Sequence, residues 1–102
     1  MINLTDYAIS LDTATELSEL FASLSDPTRL MILANLLEGE LGVGELVDRL
    51  GISKSAVSHQ LRSLRDRRII RTRRDGRKIF VYLDDAHVED LLRQGLDHIR
   101  LG

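Results

Sequence analysis

Apolar residues recur at helical spacing through most of the chain and switch to strand-like runs in one stretch. Ala14, Leu17, Leu20, Phe21 and Leu24 return every three or four positions, which predicts an amphipathic helix over about residues 12–24. Asp26-Pro27 follows, an N-cap ahead of a proline suited to the first helical turn. Leu30, Ile32, Leu33, Leu36 and Leu37 then predict a helix ending near Gly39. Its apolar residues cover much of its circumference, so it belongs at the centre of the core. Residues 44–50 read as a short helix stopped by Gly51. Ser53 is a good N-cap for a further helix over about residues 54–65, with Val57, Leu61 and Leu64 facing inward. Residues 69–73 and 78–83 are rich in β-branched and aromatic residues and read as strands. Asp75-Gly76 between them signals a hairpin. Asp84 or Asp85 caps a last helix, about 85–100, buried through Val88, Leu91, Leu92, Leu96 and Ile99. The predicted order is α-α-α-α-β-β-α, mostly α with a small β-hairpin.

The length of 102 residues fits one domain, residues 1–102, and leaves room for only a modest core. No apolar run is long enough to span a bilayer, which predicts no membrane association. The first residues lack the basic and apolar regions of a signal peptide, which leaves the cytoplasm as the expected compartment. There is no cysteine, so neither disulfides nor thiolate metal sites are available.

The net charge of −2 conceals an asymmetry. Lys54 to Lys78 carries ten Lys/Arg against two acids, Asp66 and Asp75. The rest of the chain is strongly acidic. One basic stretch on an acidic body predicts a local polyanion-binding surface.

That stretch begins with the second of two short helices joined at Gly51, about residues 43–65, the layout of a helix-turn-helix. Leu46, Val47, Leu50, Ile52, Val57 and Leu61 are placed to hold the pair together. The outer face of the second helix offers Lys54, Ser55, Ser58, His59 and Arg62. The hairpin, about 69–83, adds Arg71, Arg73, Arg74, Arg77 and Lys78, a basic β-ribbon that serves as a wing. Lys and Arg suit phosphates of double-stranded DNA, and they position without reading sequence. Any base readout falls to Ser55, Ser58 and His59, with a phosphate or its own backbone as the alternative partner of His59, and the wing arginines are suited to the minor groove. No nucleophile–base set and no phosphate-cradling glycine loop is present, so no enzymatic activity is expected.

Three stretches resemble the ArsR/SmtB family of bacterial metal-responsive repressors: Leu24-Ser-Asp-Pro-Thr-Arg-Leu30, Ser53-Lys-Ser-Ala-Val-Ser-His-Gln-Leu61 and Arg74-Asp-Gly-Arg-Lys78. The likeness runs from about Ala14 to the end. It implies a winged helix-turn-helix homodimer built from the first and last helices. It also implies repression at operator DNA without metal, and release when an inducing ion binds.

Family members often carry Cys-Val-Cys in the first helix of the helix-turn-helix; here both cysteine positions are glycine, Gly42 and Gly44. Soft-ion sensing by that route is therefore not expected. The last helix holds Asp85, His87 and, eleven residues on, His98. The two histidines share a face but lie ~16 Å apart along the axis, so one helix cannot clamp one ion with both. Two such helices, antiparallel across a two-fold axis, could bring Asp85 and His87 of one chain to His98 of the other. Two imidazoles and a carboxylate suit zinc, with nickel or cobalt next. This resembles the family's Asp-x-His…His-x-x-His/Glu pattern in its first three positions. The fourth falls on Leu101, which cannot ligate, leaving water or the terminal carboxylate of Gly102 for that place. The resemblance also implies that His98 bonds a backbone carbonyl after the recognition helix, at Arg68. Asp90 is expected to pair with Arg93. Two other readings stand beside this one: a winged-helix repressor with no metal response, and a protein- or RNA-interaction module.

Overall fold

Two turn residues and three side-chain caps set most of the element boundaries. A computed structural model describes residues 8–101. The elements are α1 (Leu11–Leu24), α2 (Pro27–Asn35), β1 (Leu41–Gly42), α3 (Val43–Leu50), α4 (Lys54–Asp66), β2 (Ile70–Asp75), β3 (Lys78–Leu83) and α5 (Ala86–Leu101). Asp26 Oδ2 accepts from the Arg29 N–H at 3.0 Å and opens α2 ahead of Pro27. Ser53 Oγ accepts from the Ala56 N–H at 3.1 Å and opens α4. Asp85, rather than Asp84, opens α5: its Oδ1 accepts from the N–H groups of His87 at 2.9 Å and Val88 at 3.1 Å.

The predicted order of helices and hairpin is observed, with three differences. The α2 helix stops at Asn35, and residues 36–38 form a turn, although apolar periodicity continues through Leu37. The hairpin strands run on to Asp75, because Asp75 pairs with Lys78 and leaves Gly76-Arg77 as the two-residue turn. Gly76 takes φ 63° there, a left-handed value that glycine accepts without a Cβ clash. The third difference is β1. Two residues give no periodicity, yet Leu41 pairs with Val81 and Gly42 with Phe80, making a three-stranded antiparallel sheet in the order β1-β3-β2.

The core lies between α2, α3, α4 and the sheet. Ile32, Leu33, Leu46, Val57, Leu64, Ile69, Ile70 and Val81 are fully buried, and Val47, Leu50 and Ile52 pack against them half-buried. The outer helices are different. On α5 only Val88 and Leu92 are buried, whereas Leu91 and Ile99 are exposed, contrary to the expected burial of all five apolar positions. On α1, Leu24 is buried but Leu17 and Phe21 are exposed. Helical periodicity finds the apolar stripe; it does not say whether the stripe is covered by the same chain. Arg93 joins α5 to the turn after α2 by donating to the Leu37 carbonyl at 2.9 Å. Its carboxylate partner is Glu89 at 3.0 Å, one turn away, and not Asp90 as expected. Among the described residues no helix is long and apolar enough to cross a membrane.

Candidate nucleic-acid interface

The turn between α3 and α4 is tight because Gly51 adopts φ 67° and its N–H bonds back to the Val47 carbonyl at 3.0 Å. That left-handed residue ends α3 and redirects the chain at little steric cost. Buried Leu46, Val57 and Leu61 then fix the inner faces of the two helices. The outer face of α4 is left to solvent: Lys54, Ser55, His59 and Arg62 are exposed and Ser58 is half-buried. The α4 helix ends where Arg68 takes φ 60°, and the Ile69 N–H returns to the Leu64 carbonyl at 3.0 Å. The chain passes from that point into the wing.

Helix and wing meet in one open cleft. Lys54 and Ser58 of α4 face Arg77, Lys78, Ile79 and Phe80 of the wing across the first turns of α3. Four of the residues assigned to DNA contact, two from each element, therefore border the same concave surface. Arg74 is exposed on the adjoining strand. Two acids, Glu45 and Asp48, also line the cleft.

The wing arginines are not equivalent. Arg73 Nε donates to Glu40 Oε2 at 2.8 Å, and its Nη2 donates to Glu40 Oε1. Its guanidinium also lies 4.4 Å from the centroid of the Phe80 ring, directly across the ladder. Hydrogen bonding to Arg73 holds the Glu40 carboxyl below its ordinary range, and the same bond raises Arg73. Arg71 has a looser partner, Asp84, at 3.7 Å. Among the described residues Arg74, Arg77 and Lys78 form no ion pair, so their charge is available to another polyanion. Sequence reasoning missed Glu40 and Phe80. Their role depends on strand register and on β1, neither of which a periodicity shows.

The candidate metal donors lie at opposite ends of α5. Asp85 uses Oδ1 to cap the helix, while Oδ2 lies 3.5 Å from His87 Nδ1. The Val88 backbone N–H is the main cause that keeps the Asp85 carboxyl below its usual value, with His87 adding to it. The His87 side chain is 92% exposed. His98 is exposed in the last turn. Among the described residues no three donors of the His/Asp/Glu type gather within one chain, and the His98 side chain makes no hydrogen bond to Arg68. Leu101 is 89% exposed, and Gly102 lies outside the described residues.

Two helices at a glycine turn, a solvent-facing second helix and a basic hairpin bordering the same cleft define a winged helix-turn-helix DNA-binding protein. A profile of the family "Bacterial regulatory protein, arsR family" matches residues 26–72. Over 92 residues the chain is 44% identical to the transcriptional repressor SmtB homolog of Synechocystis sp., spanning 90% of this chain and 70% of that protein. It is 40% identical to the HTH-type transcriptional regulator NmtR of Mycobacterium tuberculosis, spanning 87% of this chain and 77% of that one. The solution structure of apo-NmtR superposes with a TM-score of 0.82 at 36% identity, covering 99% of this chain and 85% of the other. The AntR antimony-specific transcriptional repressor superposes with a TM-score of 0.81 at 35% identity, covering 98% and 94%. The chain belongs to the arsR family of bacterial regulatory proteins. It is a DNA-binding transcriptional repressor and not an enzyme.

Proposed function

We propose that two copies of this chain pair through α1 and α5, bind an operator duplex with α4 and the wing, and let go when a divalent metal ion binds between the α5 helices. One observation carries the proposal: α5 leaves Leu91 and Ile99 uncovered on the same helix that carries Asp85, His87 and His98. Apolar surface of this kind is stabilised by burial at roughly 25 cal/mol per Å². A second α5 laid antiparallel would cover it and bring the two ends of the donor set together. Zinc would be held by Asp85 and His87 of one protomer and by the partner subunit's His98. The donors fit it: the Asp85 carboxylate and the His87 imidazole already converge, and both are open to solvent. Nickel or cobalt would accept the same nitrogen and oxygen donors. Bound metal would supply charge and a fixed geometry at the seam, and no chemistry beyond that is required.

The two α4 helices of a dimer must fit half-sites about one helical turn apart. A seam locked at a different angle misplaces them, and couplings of this kind are typically ~1–3 kcal/mol. The work would take place in the cytoplasm, where operator DNA is found. Leu101 in the fourth donor position favours a second reading, a winged-helix repressor with no metal response. DNA binding measured with zinc, cobalt, nickel and a chelator separates the two. Under the proposal His98→Ala abolishes metal-induced release and leaves DNA binding intact. Zinc-induced release retained in that variant contradicts it.

A further inference from the structure

Ser23 is the buried polar residue of the described chain, 4% exposed in the last turn of α1. A buried hydroxyl is costly unless its bonds are made, and here they are. Its Oγ donates to the Glu19 carbonyl at 2.8 Å and accepts from Arg67 Nη1 at 2.7 Å. Its carbonyl oxygen accepts from Arg29 Nη1 at 3.3 Å. Arg29 then donates through Nε to Gln60 Oε1 at 2.9 Å. The chain of bonds runs from α1, through the first turn of α2, to the middle of α4 at Gln60 and to its C-cap at Arg67.

Two attachment points on α4 differ in consequence from one. Gln60 and Arg67 are seven residues apart, about two turns or ~10 Å along the axis. A single point would leave a pivot; two fix tilt and rotation. The apolar contacts beneath α4, from Val57, Leu61 and Leu64, resist separation but are not directional. Hydrogen bonds are directional and weaken steeply when bent. Gln60 spends its carbonyl oxygen on Arg29, and Arg29 is half-buried with two of its donors engaged. Neither group is presented to a groove as Lys54 or His59 is.

We propose that Ser23, Arg29, Gln60 and Arg67 are positioning residues: they hold the reading helix α4 at a set angle to α1, and so to the dimer seam, without touching DNA. The proposal rests on the dimeric DNA-binding reading above. It makes the spacing between the two reading helices a property of this network as well as of α5.

The test uses the full-length protein and a duplex selected from random sequence by the wild type, together with its isolated half-site. Gln60→Met, Arg29→Met and the double variant are compared with the wild type. Each single variant should weaken binding to the full duplex about tenfold, within the range of coupled hydrogen-bonded neighbours. Half-site binding should change little. The dependence of affinity on salt should keep its slope, because no phosphate contact is lost. The double variant should be no weaker than the weaker single. Unchanged full-site binding by Gln60→Met overturns the proposal. So does a slope reduced by about one per protomer in Arg29→Met, which would place Arg29 on a phosphate. Equal losses on full site and half-site would also overturn it, since they indicate a direct contact. If Arg29→Met does not fold, Gln60→Met and Ser23→Ala carry the same comparison. Failure of the wild type to select any duplex is a separate outcome, and it defeats the DNA-binding reading itself.

Discussion

Arg73 and Glu40, from the wing and from the segment just before β1, form a two-pronged ion pair stacked across the Phe80 ring. The pair braces the wing against the body, and it takes one of the wing cations out of competition for phosphates. Arg77→Ala should therefore flatten the salt dependence of DNA binding by about one per protomer. Glu40→Gln should steepen it, because Arg73 is returned to the polyanion. Affinity measured against salt for both variants checks this.

The same pair has a pH consequence. The Glu40 carboxyl is held low in the folded protein, so its contribution is present above the ordinary glutamate range and is lost as pH falls through its depressed value. The wing brace should persist at neutral pH and open only in acid. A fluorine or tryptophan probe at the wing, followed in acid titration, should move in the wild type and not in Glu40→Gln.

Under the proposed function Asp85 has two jobs that substitution separates. As the α5 cap it needs only an acceptor oxygen, which Asn retains and Ala does not. As a metal donor it needs a carboxylate. Asp85→Asn should keep most of the melting temperature and lose metal affinity, whereas Asp85→Ala should lose both. Equal metal affinity in Asp85→Asn and the wild type would remove Asp85 from the donor set.

Ile99 is 75% exposed and Phe21 is 51% exposed, on the two helices that the proposed dimer brings together. Ile99→Asp should shift the protein from dimer to monomer in sedimentation while leaving its helix content unchanged. Duplex affinity should fall with it. By contrast Leu46 is fully buried beneath the helix-turn-helix, and Leu46→Ala should cost about 2–5 kcal/mol of folding stability. Ser53→Ala, which removes the α4 cap, should cost about 1 kcal/mol.

The helix-turn-helix and the wing were legible because each local signal agreed with the others. Gly51 stops one helix, Ser53 opens the next, and Gly76 turns the hairpin. Charge groups Lys54, Arg77 and Lys78, helical position adds Ser58, and all four border one cleft. What stayed hidden depends on contacts distant in sequence. Glu40 meets Arg73 across 33 positions and Arg67 meets Ser23 across 44. A polar residue in mid-helix, such as Gln60, gives no sign of whether it reads DNA or bonds a neighbour. The α5 stripe was found by its period, but its exposure could not be, since burial by a second copy and burial by the same chain leave the same pattern.

Under the proposed function two copies present a cationic helix-plus-ribbon surface to duplex DNA. The most direct measurement is a titration of a selected duplex by the wild-type protein at several salt concentrations, with the stoichiometry determined in the same experiment. Two chains should bind per duplex, with log affinity falling linearly and steeply against log salt. A protein that binds as one chain, or that ignores duplex DNA at low ionic strength, would contradict the account.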